Sequence, residues 1–278
     1  MPEVTQLIES HLSSQCTFAN PGSLHRLGVS AMESFENSRR RVANVLGAQP
    51  EEIVFTSGGT ESINFAIRGY LEANSRKGKH IVSTQTEHKA TLSILEYLSQ
   101  CGYEVTYIGV DDLGVPKWEE LENAIRPDTA LLTFTHVNNE TGTILPIRTL
   151  VEIKNRKNRS AVIHLDCVQS LGKIPFSPQK DGIDLASMSG HKIHAVKGVG
   201  AIYIKKGIRL QPLIIGGGQQ SGYRSGTESI FLAEAFALAL EKSVENCEAA
   251  YQKVTRIFDL VSAIIISCGG VILSPPDG

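Results

Sequence analysis

Long apolar runs are missing from this 278-residue chain, and no uninterrupted stretch reaches the ~18 residues that a membrane helix needs. The opening MPEVTQLIESHLSSQ has neither a basic n-region nor an apolar h-region, so no secretory signal is read and a cytoplasmic or, in a eukaryote, mitochondrial place is expected. An excess of one charge is missing too. The 27 Lys and Arg stand against 29 Asp and Glu, and a net charge of -2 gives no support to a nucleic-acid partner. Cysteine is sparse and odd in number: Cys16, Cys101, Cys167, Cys247 and Cys268 form no CxxC and no close ligand cluster. That fits a reducing compartment better than a disulfide framework and gives no reason to expect a metal. No motif recurs at a fixed period, which speaks against a stack of repeats.

What is present is ordinary for a folded α/β protein: 41% apolar and 20% charged residues, with 25 Gly and 11 Pro. The length allows one large core and the start of a second. Apolar positions at helical spacing run from Leu27 to Leu46. Short apolar runs then alternate with helical patterns. The strands are EIVFT, HIVST, YEVTYIGV, TALLTFTHV, SAVIHLD, GIDLASMS and GAIYIK, and helices are read from SGGTES to about Arg76, over HKATLSILEYLSQCG, PKWEELENAI and TLVEIKNRKN. Strands alternating with helices predict βαβ units and a mostly parallel central sheet flanked by helices. A long helix from about Glu228 to Ala250 and a second amphipathic stretch, VTRIFDLVSAI, follow. The closing PPDG is a turn signal. The expected organisation is an N-terminal helical segment over 1–19, a large domain over 20–230, and a long helix opening an incomplete small domain over 231–278.

Polar groups with chemical capacity follow several of the strands. In TSGGTES, Gly58 and Gly59 permit a tight turn with exposed N–H groups, and Thr60 is placed to cap the next helix. The segment fits neither GxxxxGK[ST] nor GxGxxG, so an anion cradle and a plain capped helix both stay open. Asp166 in HLDCVQ stands at the C-terminal end of a strand, where α/β sheets place their sites. A carboxylate there can keep a cationic ring nitrogen protonated, or merely cap a turn. Gln169 offers an amide to the same ligand. Lys192 in SMSGHKIHAVKGVG lies in a glycine-containing turn between two strands, either as an imine-forming amine or as a solvated loop lysine. Ser189 and His191 beside it can donate to phosphate oxygens. His88 in TEHKA is a proton carrier, a ring-stacking imidazole or a helix cap. Asn138 and Asn139 are amide donors or turn formers, and Arg224 and Thr227 are phosphate contacts or caps. Cys167 points opposite to Asp166 if the strand continues through it, which reads as a buried structural thiol.

In this order the runs NPGSLHRLG, IVFTSGGTES, TEHKA, HVNNETG, HLDCVQSLGK, SMSGHKIHAVKGVGAIYI and GGGQQSGYRSGTES resemble the cysteine desulfurases of the class V aminotransferase family, close relatives of selenocysteine lyases. The resemblance implies a fold-type I large domain that binds pyridoxal 5'-phosphate (PLP), with Lys192 as the Schiff-base lysine that later moves protons. It implies Asp166 at the pyridine nitrogen, Gln169 at the ring hydroxyl and His88 over the ring. By the same resemblance Gly59, Thr60, Ser189 and His191 would surround the phosphate, and Asn139 would meet the substrate carboxylate or ring oxygen. Thr227 reaches the phosphate of a neighbouring subunit, so a homodimer with shared sites is implied. The family converts L-cysteine to L-alanine and passes sulfur to an enzyme cysteine persulfide, for iron–sulfur clusters or thiolated cofactors, with a sulfur acceptor or scaffold protein as partner. Against the family pattern the sequence lacks a DNAATT-like opening, the mobile loop with the nucleophilic cysteine and the later substrate-binding arginine. It also has His194, Ala195 and Val196 where YGP is common, a change expected to loosen the turn after Lys192. The expectation is a PLP-binding chain whose turnover on its own is impaired. A non-catalytic dimerisation or partner-binding relative and a selenocysteine lyase are the alternatives.

Overall fold

The strand segments are apolar on both faces, and the fold uses both. In the computed structural model, which describes residues 1–13 and 19–275, seven strands form one sheet: β1 (Ile53–Thr56), β2 (His80–Thr84), β3 (Glu104–Ile108), β4 (Thr129–Thr135), β5 (Val162–Asp166), β6 (Leu185–Ser189) and β7 (Gly200–Ile204). The order is β1-β7-β6-β5-β4-β2-β3. β2 to β6 are parallel to one another, and β7 alone runs against its neighbours, β1 and β6. Helices on the two faces cover alternate strand residues.

One face carries Ile53, Phe55, Val82, Leu132, Ile163, Leu165, Ala186 and Tyr203. Against it pack α1 (Pro2–Leu12), α2 (Arg26–Leu46), α6 (Trp118–Ala124), α7 (Ile147–Lys157) and α8 (Ile230–Glu245), through residues such as Phe35, Leu121, Leu150, Phe236 and Leu240. The other face carries Val54, Ile81, Leu131, Val162, Leu185 and Ile202. A helix over 59–73 and α5 (Lys89–Gln100) cover that face. The 59–73 helix consists of α3 (Gly59–Asn64), a π-turn (Phe65–Gly69) and α4 (Tyr70–Ala73). Strand parity puts Asp166 and His164 on this second face, with Val162. Cys167 joins the first cluster, opposite Asp166, and burial pushes its thiol well up.

Two sequence expectations are corrected in detail. Thr60 does not cap its helix. Gly58, at φ 154°, is the cap residue, and Thr60 sits inside the first turn. The helix expected from Glu228 to Ala250 is two helices, α8 and α9 (Cys247–Ser267), divided at Asn246. Asn246 turns its side chain back on the last turn of α8, Nδ2 donating at 2.8 Å to the Lys242 carbonyl that also accepts its backbone N–H at 3.3 Å. No residue of α9 is buried, and Val254, Ile257, Leu260 and Ile264 are all exposed. Cys16 and most of the closing PPDG lie outside the described residues.

Candidate active site

The C-terminal ends of β4, β5 and β6 bring Thr135, Asp166 and Ser189 to one edge of the sheet. Thr135 pairs in register with Asp166, and Asp166 with Ser187. Below them His164, fully buried, bonds the Thr133 hydroxyl through Nδ1 at 2.8 Å and the Ser187 hydroxyl through Nε2 at 2.9 Å. Burial pushes its pKa down to about 3, so it is a neutral rung that ties three strands together beneath the site.

Above this edge lies a cavity of about 230 Å³ lined by Gly59, Thr60, His88, Asn139, Asp166, Gln169, Ser189, His191 and Lys192, with Ile63, Thr135 and Val168 between them. Nine of the residues named from the sequence therefore share one space. Thr227 does not; it is exposed and lines a separate depression with Phe35, Thr56, Ser57 and Gln220. Arg224 is committed to Glu61, Nε to Oε1 at 3.0 Å.

Each side chain is held by its own element. Asp166 is buried, and among the described residues its carboxylate has one hydrogen bond, from the Val168 N–H to Oδ1 at 2.9 Å. Burial raises its pKa, opposed by that bond and by His88 nearby. A buried carboxylate so thinly satisfied is a site for a cation. Gln169 accepts from Lys173 Nζ through Oε1 at 2.9 Å, which leaves Nε2 as its free donor. His88 caps α5, its Nδ1 accepting from the Ala90 N–H at 3.1 Å, and the rest of its ring lines the cavity. Ser189 Oγ and His191 Nδ1 share a hydrogen bond of 2.9 Å, and burial, then Lys192 and Lys197, lower the His191 pKa. Asn138 forms its own turn, accepting from the Glu140 and Thr141 N–H groups and donating to the Thr86 carbonyl, so Asn139 is the amide left for the cavity.

Lys192 lies in a 3₁₀ turn, Gly190–Ile193, that follows β6 directly. The turn is closed despite its departure from YGP. His194 takes the left-handed conformation at φ 63°, the Ala195 N–H donates to the Gly190 carbonyl at 3.0 Å, and Ala195 and Val196 pack on the core.

The residues fit a flat cationic ring carrying a phosphate. A carboxylate, an amide, an imidazole and an amine face one cavity. The 59–73 helix opens beside two phosphate-competent side chains, Ser189 and His191. Gly59 has no side chain for a reason: a Cβ there would stand 2.8 Å from Val168 Cγ2 and 3.4 Å from Ser189 Cβ. Sequence reasoning missed Thr135, whose only signal was its place at a strand end, and Glu87, whose neighbours come from distant strands.

The aminotransferase class-V family model matches residues 2–267. The chain is 42% identical to cysteine desulfurase 1 of Trichormus variabilis over 267 residues, 96% of this chain and 65% of the relative. It is 41% identical to the cysteine desulfurase IscS of Dictyoglomus turgidum over 87% of this chain and 61% of the relative. It thus spans less than two thirds of these relatives' length. Among solved structures it is similar to a NifS-like protein, with a TM-score of 0.94 and 39% identity over 98% of this chain and 75% of that one. It is also similar to a structure of SspA in complex with cysteine, with a TM-score of 0.80 and 36% identity over 85% and 68%. The chain belongs to the aminotransferase class-V family, among its cysteine desulfurase-like members.

Proposed function

We propose that the cavity binds PLP and that the protein works on L-cysteine as a desulfurase. The observation that carries this reading is the meeting of Lys192 and Asp166 on one cavity, with Gln169 and His88 beside them. When bound, PLP supplies the electron sink for negative charge at the substrate Cα.

The remaining work falls to the chain's own residues. Lys192 Nζ is the amine that holds the cofactor and then carries a proton to and from the substrate. Asp166 provides the negative charge that keeps a ring nitrogen protonated, and a cation there relieves the burial of its carboxylate. Gln169 Nε2, free of Lys173, donates to a ring oxygen. His88 has Nδ1 occupied as an acceptor, so its proton resides on Nε2, ready to be donated into the cavity. Thr60, Ser189, His191 and the first-turn N–H groups after Gly58 are the phosphate donors. Asn139 serves the substrate carboxylate or a ring oxygen. Thr227 stands outside the cavity of its own chain, which supports its use on the phosphate site of a second copy in a homodimer.

The sulfur-accepting thiol is not supplied by the described residues. Cys167 is buried on the opposite face of the sheet, and Cys101, Cys247 and Cys268 lie away from the cavity. The described residues therefore bind the cofactor and handle the substrate proton, and among them no thiol stands ready for sulfur transfer. Titration with PLP should give a visible absorbance band with the native chain and none with Lys192→Ala, and L-cysteine should perturb that band without sulfide release. No band from a folded sample would refute the cofactor assignment, and steady release of sulfide and alanine would refute the division of labour.

A further inference from the structure

Among the described residues, Glu87 is the buried acid near the cavity that the PLP reading leaves unused. It precedes His88 in the loop between β2 and α5, and it is buried without a cation. Among the described residues its partners are two hydroxyls: Thr84 Oγ1 to Oε1 at 2.7 Å and Thr135 Oγ1 to Oε2 at 2.7 Å. Thr135 has two aspects. It lines the active-site cavity, and it also lines a void of about 20 Å³ with Thr84, Thr86, Glu87 and Asn138. Glu87 thus stands behind the cavity wall, joined to it through one threonine. Thr135 is in turn the strand partner of Asp166.

The groups around Glu87 leave it little choice of charge. From β5 the nearby ionisable group is Asp166, whose negative charge opposes a second one. β2 and β4 present the hydroxyls of Thr84 and Thr135. Next to Thr135, His136 is itself buried and kept neutral, its pKa pushed down to about 4. Its chain neighbour His88 directs Nδ1 to the Ala90 N–H, and Lys89 begins α5. The void is lined otherwise by Gly114, Pro116, Phe134, Thr143 and Leu145, none of them charged. Two like carboxylates at one site do not both ionise readily. Full burial, the first cause, and Asp166 raise the Glu87 pKa to about 8, against the pull of the two hydroxyl bonds.

Resting on the PLP reading, we propose that Glu87 is a positioning residue of the cofactor site: as a neutral carboxylic acid it fixes Thr135 in the cavity wall and leaves Asp166 as the only carboxylate facing the ring. One of its two hydroxyl contacts is then reversed, with the acid donating. Neutral Glu87 preserves the hydrogen bonds without competing with Asp166 for the ring's positive charge. Ionised Glu87 would bury a second negative charge with no partner.

Glu87→Gln keeps the shape and the neutral charge, and Glu87→Ala removes the hold on Thr135. In the cofactor-free chain, thermal midpoints of the native protein and Glu87→Gln should be read from pH 5 to 9. The folded acid keeps a proton that the unfolded chain loses above its ordinary value of 4.5, so the native protein loses stability as pH rises towards 8. Glu87→Gln has no such slope, and the difference should grow in its favour up to pH 8 and then level. A constant deficit for Glu87→Gln at every pH would overturn the neutral state. PLP affinity, read from the visible band, should be equal for the two proteins at pH 7. Above pH 8 the native protein should weaken relative to Glu87→Gln, by up to about ten-fold per pH unit, while Glu87→Ala should be weak throughout. Parallel pH profiles for native protein and Glu87→Gln would overturn the link to the cofactor site. If the native protein took up no PLP, the cofactor reading would fall and the positioning role with it, and the stability arm would still report the acid's charge.

Discussion

At the scale of the residue, the role proposed for Asp166 sets stability against function. Its carboxylate is buried with a single hydrogen bond, and its raised pKa means that the fold pays a cost once pH passes the ordinary Asp value. Asp166→Asn should therefore raise the thermal midpoint of the cofactor-free chain at neutral pH and weaken PLP binding in the same sample. A lower midpoint with unchanged affinity would contradict the role. His164 has the opposite sign. Its folded pKa is about 3, so between that value and its ordinary 6.5 the unfolded chain takes a proton that the fold refuses. Stability should fall on acidification through this window by about 1.4 kcal/mol per pH unit at most, and His164→Gln should flatten that part of the urea-midpoint profile. The place of Asp166 and Lys192 just at or after strand ends was legible because strand ends and glycine turns show in the sequence. Glu87 was not. An acid at a helix start reads as a favourable end charge, and its burial comes from Thr84 and Thr135 on two separate strands.

At the scale of the element, strands were easier to read than helix ends. Apolar runs fix the seven strands to within three residues, the largest slip being at β6, read from Gly182 and formed from Leu185, and the parity of β5 placed Cys167 opposite Asp166. Helical periodicity could not see the break at Asn246, because the apolar pattern runs through it and the stop lies in the backbone of Asn246, at φ -100° and ψ 2°. α8 is held by its core face. Phe236 is fully buried beside Phe55, with ring centroids 6.0 Å apart. Phe236→Ala should cost about 3–5 kcal/mol by denaturant titration. The bidentate Arg41–Glu241 pair between α2 and α8 is partly exposed, and Arg41→Ala should cost less than about 1 kcal/mol. A reversed ranking would mean that charge rather than packing anchors α8.

At the scale of the whole molecule, the sheet divides labour between its faces. One face, under α2 and α8, is a continuous apolar core. The other holds a second core under the 59–73 helix and α5 and then, at the strand ends, opens into the polar cavity. α9 lies outside this arrangement, with no buried residue. Its amides should exchange with solvent far faster than those of α8 in a hydrogen-exchange experiment on the 278-residue chain, and equal protection would show that the helix has found a cover. The central claim is that one amine and one carboxylate on this cavity serve the same bound ring. The most direct measurement is borohydride reduction of the chain incubated with PLP, followed by peptide mapping. The account predicts a single stable adduct on Lys192, reduced in yield by Asp166→Asn and absent in Lys192→Ala. An adduct spread over Lys173, Lys197 and other surface lysines, and indifferent to Asp166, would contradict it.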